Sequence, residues 1–200
     1  MTKNILLLIA LEAEMGAENI ASLATLCDVR FTGMGKLSAF EATMKSLAEG
    51  DYSYIINVGT CGSFRHPFGA VLCPSAVMQG DVYIDPEGIF YTPAEELGTG
   101  TEGCVIVSSD NFIGDNTPER QRALLAPYDC MDMEAYAIVR AAHLHASLHG
   151  KKTPTIYMAK IVSDGCDGSV GDWESRIVSL RPTVRRAAEE ILEKIKSKAQ

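Results

Sequence analysis

The sequence predicts an α/β fold: a single domain over residues 1–200, with a mixed, largely parallel central sheet between two helical layers, an α/β/α arrangement. Three observations predict it. Short continuous apolar runs such as "NILLLIA" and "YSYIINV" read as strands buried on both faces. Amphipathic stretches of helical period alternate with them, the order that builds a parallel sheet. Residues 64–102 are richer in glycine and proline and predict short strands joined by loops, which makes the sheet mixed.

The elements follow in order. "NILLLIA" is the first strand, and "EAEMGAENIASLAT" reads as a helix that Gly16 weakens. "CDVRFTGMG" is a strand ending in a glycine turn. "KLSAFEATMKSLAEG" is a helix with Leu37, Phe40, Met44 and Leu47 on one face and Gly50 as its stop. "YSYIINVGTCGS" is a buried strand entering a Gly-rich turn. The middle region contributes "AVLCPSAVMQGDVYID" and "GIFYTPAEELGTGT". "GCVIVSSDNFIGD" is a further strand, and "TPERQRALLAPY" a short helix opened by Thr117 with Pro118 first. "MEAYAIVRAAHLHASLHG" is a helix closed by Gly150. "TPTIYMAKIVSDG" is the last strand. "RPTVRRAAEEILEKIKSKAQ" is a terminal helix with Val184, Ala188, Ile191 and Ile195 inward.

Composition narrows the function classes. Two hundred residues with 46% hydrophobic content suffice for a core without disulfides or a structural metal. The formal net charge of -8 repels a phosphate backbone and disfavours nucleic-acid binding. No apolar run is long enough to span a bilayer, and acids follow the first apolar run where a signal cleavage site would lie. The expectation is a cytoplasmic protein with no membrane partner. The cysteines (27, 61, 73, 104, 130 and 166) have no metal-ligand spacing and read as buried thiols. Of the four histidines only His145 and His149 share a helical face, and no acid joins them, so no metal site is expected.

Chemistry gathers at the ends of the strands, where open α/β sheets bind ligands. Glu12 and Glu14 follow the first strand, "TGMGK" the second and "VGTCGS" the third. "SSDNF", "MDMEA" and "VSDGCD" follow later ones. Any one of these could be a cap or turn; their coincidence at one end argues for a common pocket. "DCMDMEAYAIV" poses the question most sharply, since Asp132 and Glu134 interrupt an apolar run where an unpaired charge is costly. The "GTCGS" turn is neither GxxxxGK[ST] nor GxGxxG, and no GxSxG elbow occurs. What remains is a carboxylate-rich pocket of Glu14, Glu134 and Asp164 with Phe112 as a stacking surface. Such a pocket suits a reaction that develops positive charge on its substrate.

Taken together, "IALEAEM", "TGMGKLSA", "INVGTCGS", "VSSDNFI", "DMEAYAI" and "VSDGCDG" resemble, in order and separation, the 5′-methylthioadenosine/S-adenosylhomocysteine nucleosidases of the nucleoside phosphorylase superfamily. The resemblance spans nearly the whole chain. It implies a nucleoside phosphorylase/hydrolase-like fold, a homodimer, no cofactor, a purine nucleoside substrate and a place in methionine salvage. By the same resemblance, Glu14 activates the attacking water and Asp164 protonates the purine N7. Glu134, with Met133, receives the ribose hydroxyls. Phe112 stacks on the base and Ile113 meets its edge through backbone groups. Thr60 and Gly62 lie against the sugar and water, Met34 and Leu11 line the 5′ pocket, Ser163 adjoins Asp164, and Trp173 covers the 5′ substituent. Asp132 is read as a helix cap.

Departures from the family pattern set the alternatives. Asn57 stands where phosphorylases of the superfamily carry a phosphate-binding arginine, and no arginine lies near Glu12 and Glu14. This favours a metal-independent hydrolase. "GTCG" nevertheless looks like some phosphorylases, which keeps a phosphate-dependent enzyme as an alternative. The stretch between Cys73 and Cys104 is short, Lys160 replaces an arginine, and Cys166 replaces a small residue beside the base. Futalosine hydrolase is therefore a second alternative, and a non-catalytic nucleoside-binding protein a third.

Overall fold

The computed structural model describes residues 4–84, 89–90, 94–167 and 173–198. Strand β1 (Ile5–Ile9) is buried along its whole length, as a two-faced strand must be. Two short helices follow, α1 (Glu12–Met15) and α2 (Ala17–Leu23), where the sequence predicts one. Gly16 separates them at φ 81°, a left-handed conformation that ends the first helix and starts the second. Strand β2 (Asp28–Phe31) leads through the "TGMG" turn into helix α3 (Lys36–Glu49), which stops at Gly50. Strand β3 (Tyr54–Gly62) is the centre of the molecule. The middle region forms β4 (Val71–Leu72), β5 (Pro74–Gln79), β6 (Tyr83–Ile84), β7 (Ile89–Phe90) and β8 (Glu95–Glu96). Then come β9 (Thr101–Ser108), α4 (Glu119–Leu125), β10 (Cys130–Asp132), α5 (Ala135–His149), β11 (Thr155–Asp164) and α6 (Trp173–Lys198).

Among the described residues the main sheet has nine strands in the order β2-β1-β3-β10-β9-β5-β8, with β11 on β3 and β4 on β11. It is mixed. β1 pairs in parallel with β2 and β3, and β11 pairs in parallel with β3 over the length of both strands. The β10–β3, β11–β4 and β5–β8 pairs are antiparallel. β6 and β7 pair with each other in antiparallel, apart from this sheet.

Apolar side chains fill both faces of the sheet and define the layers. On one face Leu7, Ile9, Ile56, Val58 and Ile161 pack with Met15, Leu23 and the inner stripe of α6. Val184, Ala188, Ile191 and Ile195 belong to that stripe, as the periodicity predicts. On the other face Leu6, Leu8, Ile55 and Met158 pack with Ala39 and Leu47 of α3 and with Ala135, Ile138, Val139 and Ala142 of α5.

Three local expectations are corrected. The buried face of α3 is Ala39, Thr43, Ser46 and Leu47, whereas Leu37 is 80% exposed. Small residues on α3 let it lie close against α5, so Leu37 is turned outward while Phe40 packs at the edge of the core beside buried Leu47. Helix α4 begins at Glu119, with Pro118 as its cap rather than its first residue. Helix α6 starts eight residues earlier than the "RPTV" segment and carries Pro182 inside it.

Candidate active site

The carboxyl ends of β1, β3, β9, β10 and β11 converge on one cavity of about 200 Å³. Glu14, Asp132, Glu134 and Asp164 line it, with Leu11, Met34, Thr60, Gly62, Phe112, Ile113, Met133 and Ser163. The structure thus brings together every site residue that the sequence singled out except Trp173. Trp173 begins α6, and its side chain lies outside the described residues.

Glu14 is buried, and its carboxylate accepts three hydrogen bonds. The Thr60 backbone N–H and hydroxyl each donate to Oε1 at 2.7 Å, and the Leu11 N–H donates to Oε2 at 3.2 Å. A carboxylate offers about four lone-pair sites, so one direction on Oε2 stays free for a proton. The neighbouring residue Gly59 makes this placement possible: a Cβ there would stand 3.0 Å from Oε1.

Asp164 is held from both sides. The Ser163 hydroxyl donates to Oδ2 at 2.8 Å, and the Cys166 N–H donates to Oδ1 at 3.0 Å. Two lone-pair directions stay open, enough to carry a proton towards a ligand. Cys166 lines the same corner, and burial together with Asp164 pushes its thiol up to about 12, so it is a neutral wall.

Glu134 stands at the entrance to α5. The Gly35 N–H, from the "TGMG" turn, donates to Oε1 at 3.0 Å, and the Met133 N–H donates to Oε2 at 3.3 Å. Burial first, and then the Asp132 charge, raise its carboxyl to about 7. A group poised there exchanges its proton readily when a polar ligand arrives.

Asp132 has a different environment. Ser108 Oγ donates to its Oδ1 at 2.6 Å, and the Ala135 N–H donates to its Oδ2 at 2.9 Å, so it caps α5 as expected. The sequence reading missed its third partner, the Lys160 ammonium at 2.8 Å, with both side chains almost fully buried. Burial alone would lower the Lys160 ammonium, but Asp132, Glu134 and Glu14 outweigh it and hold it charged. An apolar strand interrupted by one lysine was the available signal, because such a cation needs a buried acid.

Phe112 is 45% exposed at the cavity mouth and Ile113 is buried behind it, leaving one aromatic face for a flat ligand. Asn111 also lines the cavity and was not singled out from the sequence. Asn57 lies deeper. Its Nδ2 donates to the Leu8 carbonyl at 3.2 Å, while its buried Oδ1 has no partner among the described residues. The described lining contains no lysine or arginine. Among the described residues no cluster of His, Cys, Asp and Glu is arranged to hold a metal ion.

Solved structures share this architecture. The 5′-methylthioadenosine/S-adenosylhomocysteine nucleosidase of Helicobacter pylori matches at a TM-score of 0.74 and 15% identity, over 96% of this chain and 99% of that one. The chain has the fold of these nucleosidases. Futalosine hydrolase of the same organism matches at 0.75 and 16% identity, over 97% and 99%. The Neisseria meningitidis nucleosidase, solved with methylthio-immucillin-A, matches at 0.70 and 19%, over 98% and 99%. No family model and no curated protein sequence matches. The nucleosidase fold is therefore carried by a sequence far from theirs. No helix among the described residues is long and apolar enough to cross a membrane.

Proposed function

We propose that this protein hydrolyses the N-ribosidic bond of a purine nucleoside with a modified 5′ position, of the methylthioadenosine or S-adenosylhomocysteine type. The observation that carries the reading is the convergence of Glu14, Glu134 and Asp164 on one cavity, each held by neighbouring donors. Breaking the bond builds positive charge on the sugar and electron density on the base. Asp164, protonated on its open side, delivers a proton to the base nitrogen as the base leaves. Glu14 takes a proton from water through its free lone pair as that water attacks the anomeric carbon. The products are the free base and the ribose moiety. Glu134 receives the sugar hydroxyls and orients the ring, Phe112 stacks on the base, and the apolar Leu11, Met34 and Met133 suit a 5′ substituent of low polarity.

The absence of lysine and arginine from the described lining favours water over phosphate as the nucleophile. A phosphate dianion facing three carboxylates would lack a compensating charge. Futalosine hydrolase is supported by the fold to the same degree, so the 5′ group must be found by assay.

The test is a panel of purine nucleosides, including methylthioadenosine, S-adenosylhomocysteine, futalosine and inosine, incubated with and without phosphate. Free base and reducing sugar are expected from a 5′-modified member without phosphate. Strict phosphate dependence would make the protein a phosphorylase, and binding without turnover would make it a nucleoside-binding protein.

A further inference from the structure

Four carboxylates line the cavity, and one buried ammonium stands behind its wall. Lys160 reaches that position from the middle of β11, where it pairs in register with Gly59 of β3. Glu14 lies over Gly59 on the α1 side of the site, Asp132 ends β10, and Glu134 opens α5. The cation is thus shared by acids from three separate parts of the chain.

The contacts rank those acids. Asp132 takes the ammonium directly at 2.8 Å, and it also accepts from Ser108 Oγ and the Ala135 N–H. With three donors on two oxygens it is committed to the protein and poorly suited to a ligand, although it lines the cavity. Glu134 is the opposite case. It sits two residues later and has only two backbone donors, at 3.0 and 3.3 Å. Its backbone, at φ -131° and ψ -36°, is the junction at which α5 begins. The Asp132 cap fixes the first turn of α5 and with it the Glu134 side chain.

We propose that Lys160 and Asp132 form a buried positioning pair that places Glu134 for the sugar hydroxyls, with the two halves acting on it in opposite directions. This rests on the nucleosidase reading for the identity of the ligand, but not for the pair itself. Two physical arguments support it. First, a buried ion pair of this kind contributes little net stability compared with apolar residues of equal volume, so its presence calls for another reason. Second, without the ammonium the Asp132 charge would be uncompensated in the interior, and Asp132 would gain a proton or turn away. Either event weakens the cap, and while Asp132 stays ionised its uncompensated charge repels an ionised Glu134.

The groups facing Glu134 are Asp132 beside it, Lys160 from β11, Glu14 from α1 and the Gly35 N–H from the turn before α3. Of these, Asp132 and Glu14 disfavour its ionised form, and Lys160 and Gly35 favour it. The pair therefore predicts opposite responses to its two halves. Removing the ammonium in Lys160→Met should make Glu134 harder to ionise. Removing the negative charge in Asp132→Asn should make it easier.

The experiment follows the Glu134 carboxyl by carbon-13 NMR across a pH series in the ligand-free protein, with the resonance assigned by its loss in Glu134→Gln. Lys160→Met is expected to raise the midpoint by about one pH unit or more, and Asp132→Asn to lower it by a similar amount. Lys160→Arg, which keeps the charge, should restore a midpoint near that of the wild type. With an accepted substrate, Lys160→Met should raise KM about tenfold or more with a smaller change in kcat. An unmoved midpoint in both Lys160→Met and Asp132→Asn, or shifts of the same sign, would overturn the pair. If one variant fails to fold, the other decides by the direction of its shift. The titration needs no substrate, so a wild-type protein without turnover would sink the hydrolase reading while leaving the pair to be judged on the midpoints.

Discussion

Glu14 occupies the space that a side chain at Gly59 would need: a Cβ at position 59 would lie 3.0 Å from Glu14 Oε1 and 3.3 Å from Oε2. The two residues are 45 positions apart in sequence, yet the bare backbone at one leaves the space that the carboxylate of the other fills. Gly59→Ala is expected to push the carboxylate off the Thr60 donors and lower kcat by roughly 10–100-fold. The stability loss should stay within about 1–3 kcal/mol, since only one methyl group is added. Steady-state kinetics and denaturant unfolding measure the two effects. Wild-type kcat in this variant would show that Glu14 does not take the proton.

Loss of either group proposed to handle a proton should be severe. Glu14→Gln and Asp164→Asn keep the shape and remove the titratable oxygen. Each is expected to reduce kcat by roughly 10²–10⁴-fold, the usual contribution of general acid–base catalysis. Release of free base, followed by absorbance, gives the rates. Near-normal turnover in one variant would remove the role assigned to that residue.

Glu134 makes folding stability depend on pH. Its folded-state value is raised from the usual 4.5 to about 7, so the native protein binds this proton more tightly than the unfolded chain. The resulting stability is fully present below about pH 4.5 and is lost as pH rises towards 7. Glu134→Gln is expected to flatten stability between these values and to be roughly 1–3 kcal/mol more stable than wild type at pH 8. Urea unfolding at a series of pH values checks this. A variant less stable than wild type at pH 8 would show that the ionised carboxylate is well accommodated by Lys160 and the Gly35 N–H.

Phe112 should act on binding alone. It is exposed at the cavity mouth and touches no proton-transfer group among the hydrogen bonds of the site. Phe112→Ala is expected to raise KM about 3–10-fold, the worth of one aromatic stacking contact, with kcat little changed. A comparable fall in kcat would place Phe112 in the chemistry itself.

Much of this architecture is legible in the linear chain because its physical causes are local. "NILLLIA" and "YSYIINV" read as doubly buried strands since an unbroken apolar run leaves no face for water. The inner stripe of α6 follows from the spacing of Val184, Ala188, Ile191 and Ile195. The Asp132 cap could be read because a carboxylate three residues before Ala135 meets an unpaired N–H. The α3 face was legible at Leu47 and Phe40 but not at Leu37, because the contact with α5 runs through Ala39, Thr43 and Ser46.

The sequence by itself determined the order of most strands and helices, and which acidic residues stand at the ends of strands. Hydrophobic period and helix-end chemistry act within a few residues, so they can be read along the chain. Only the tertiary structure decided that Gly35 donates to Glu134 across 99 positions, that Gly59 makes room for Glu14, and that Lys160 neutralises Asp132. These relationships depend on strand order and register, which bring together residues that no local pattern connects. The two acids of "MDME" are separated in the sequence as a cap and a ligand contact, but nothing local shows the cation. The fold gives one a cation and a helix to cap, and leaves the other turned towards the cavity.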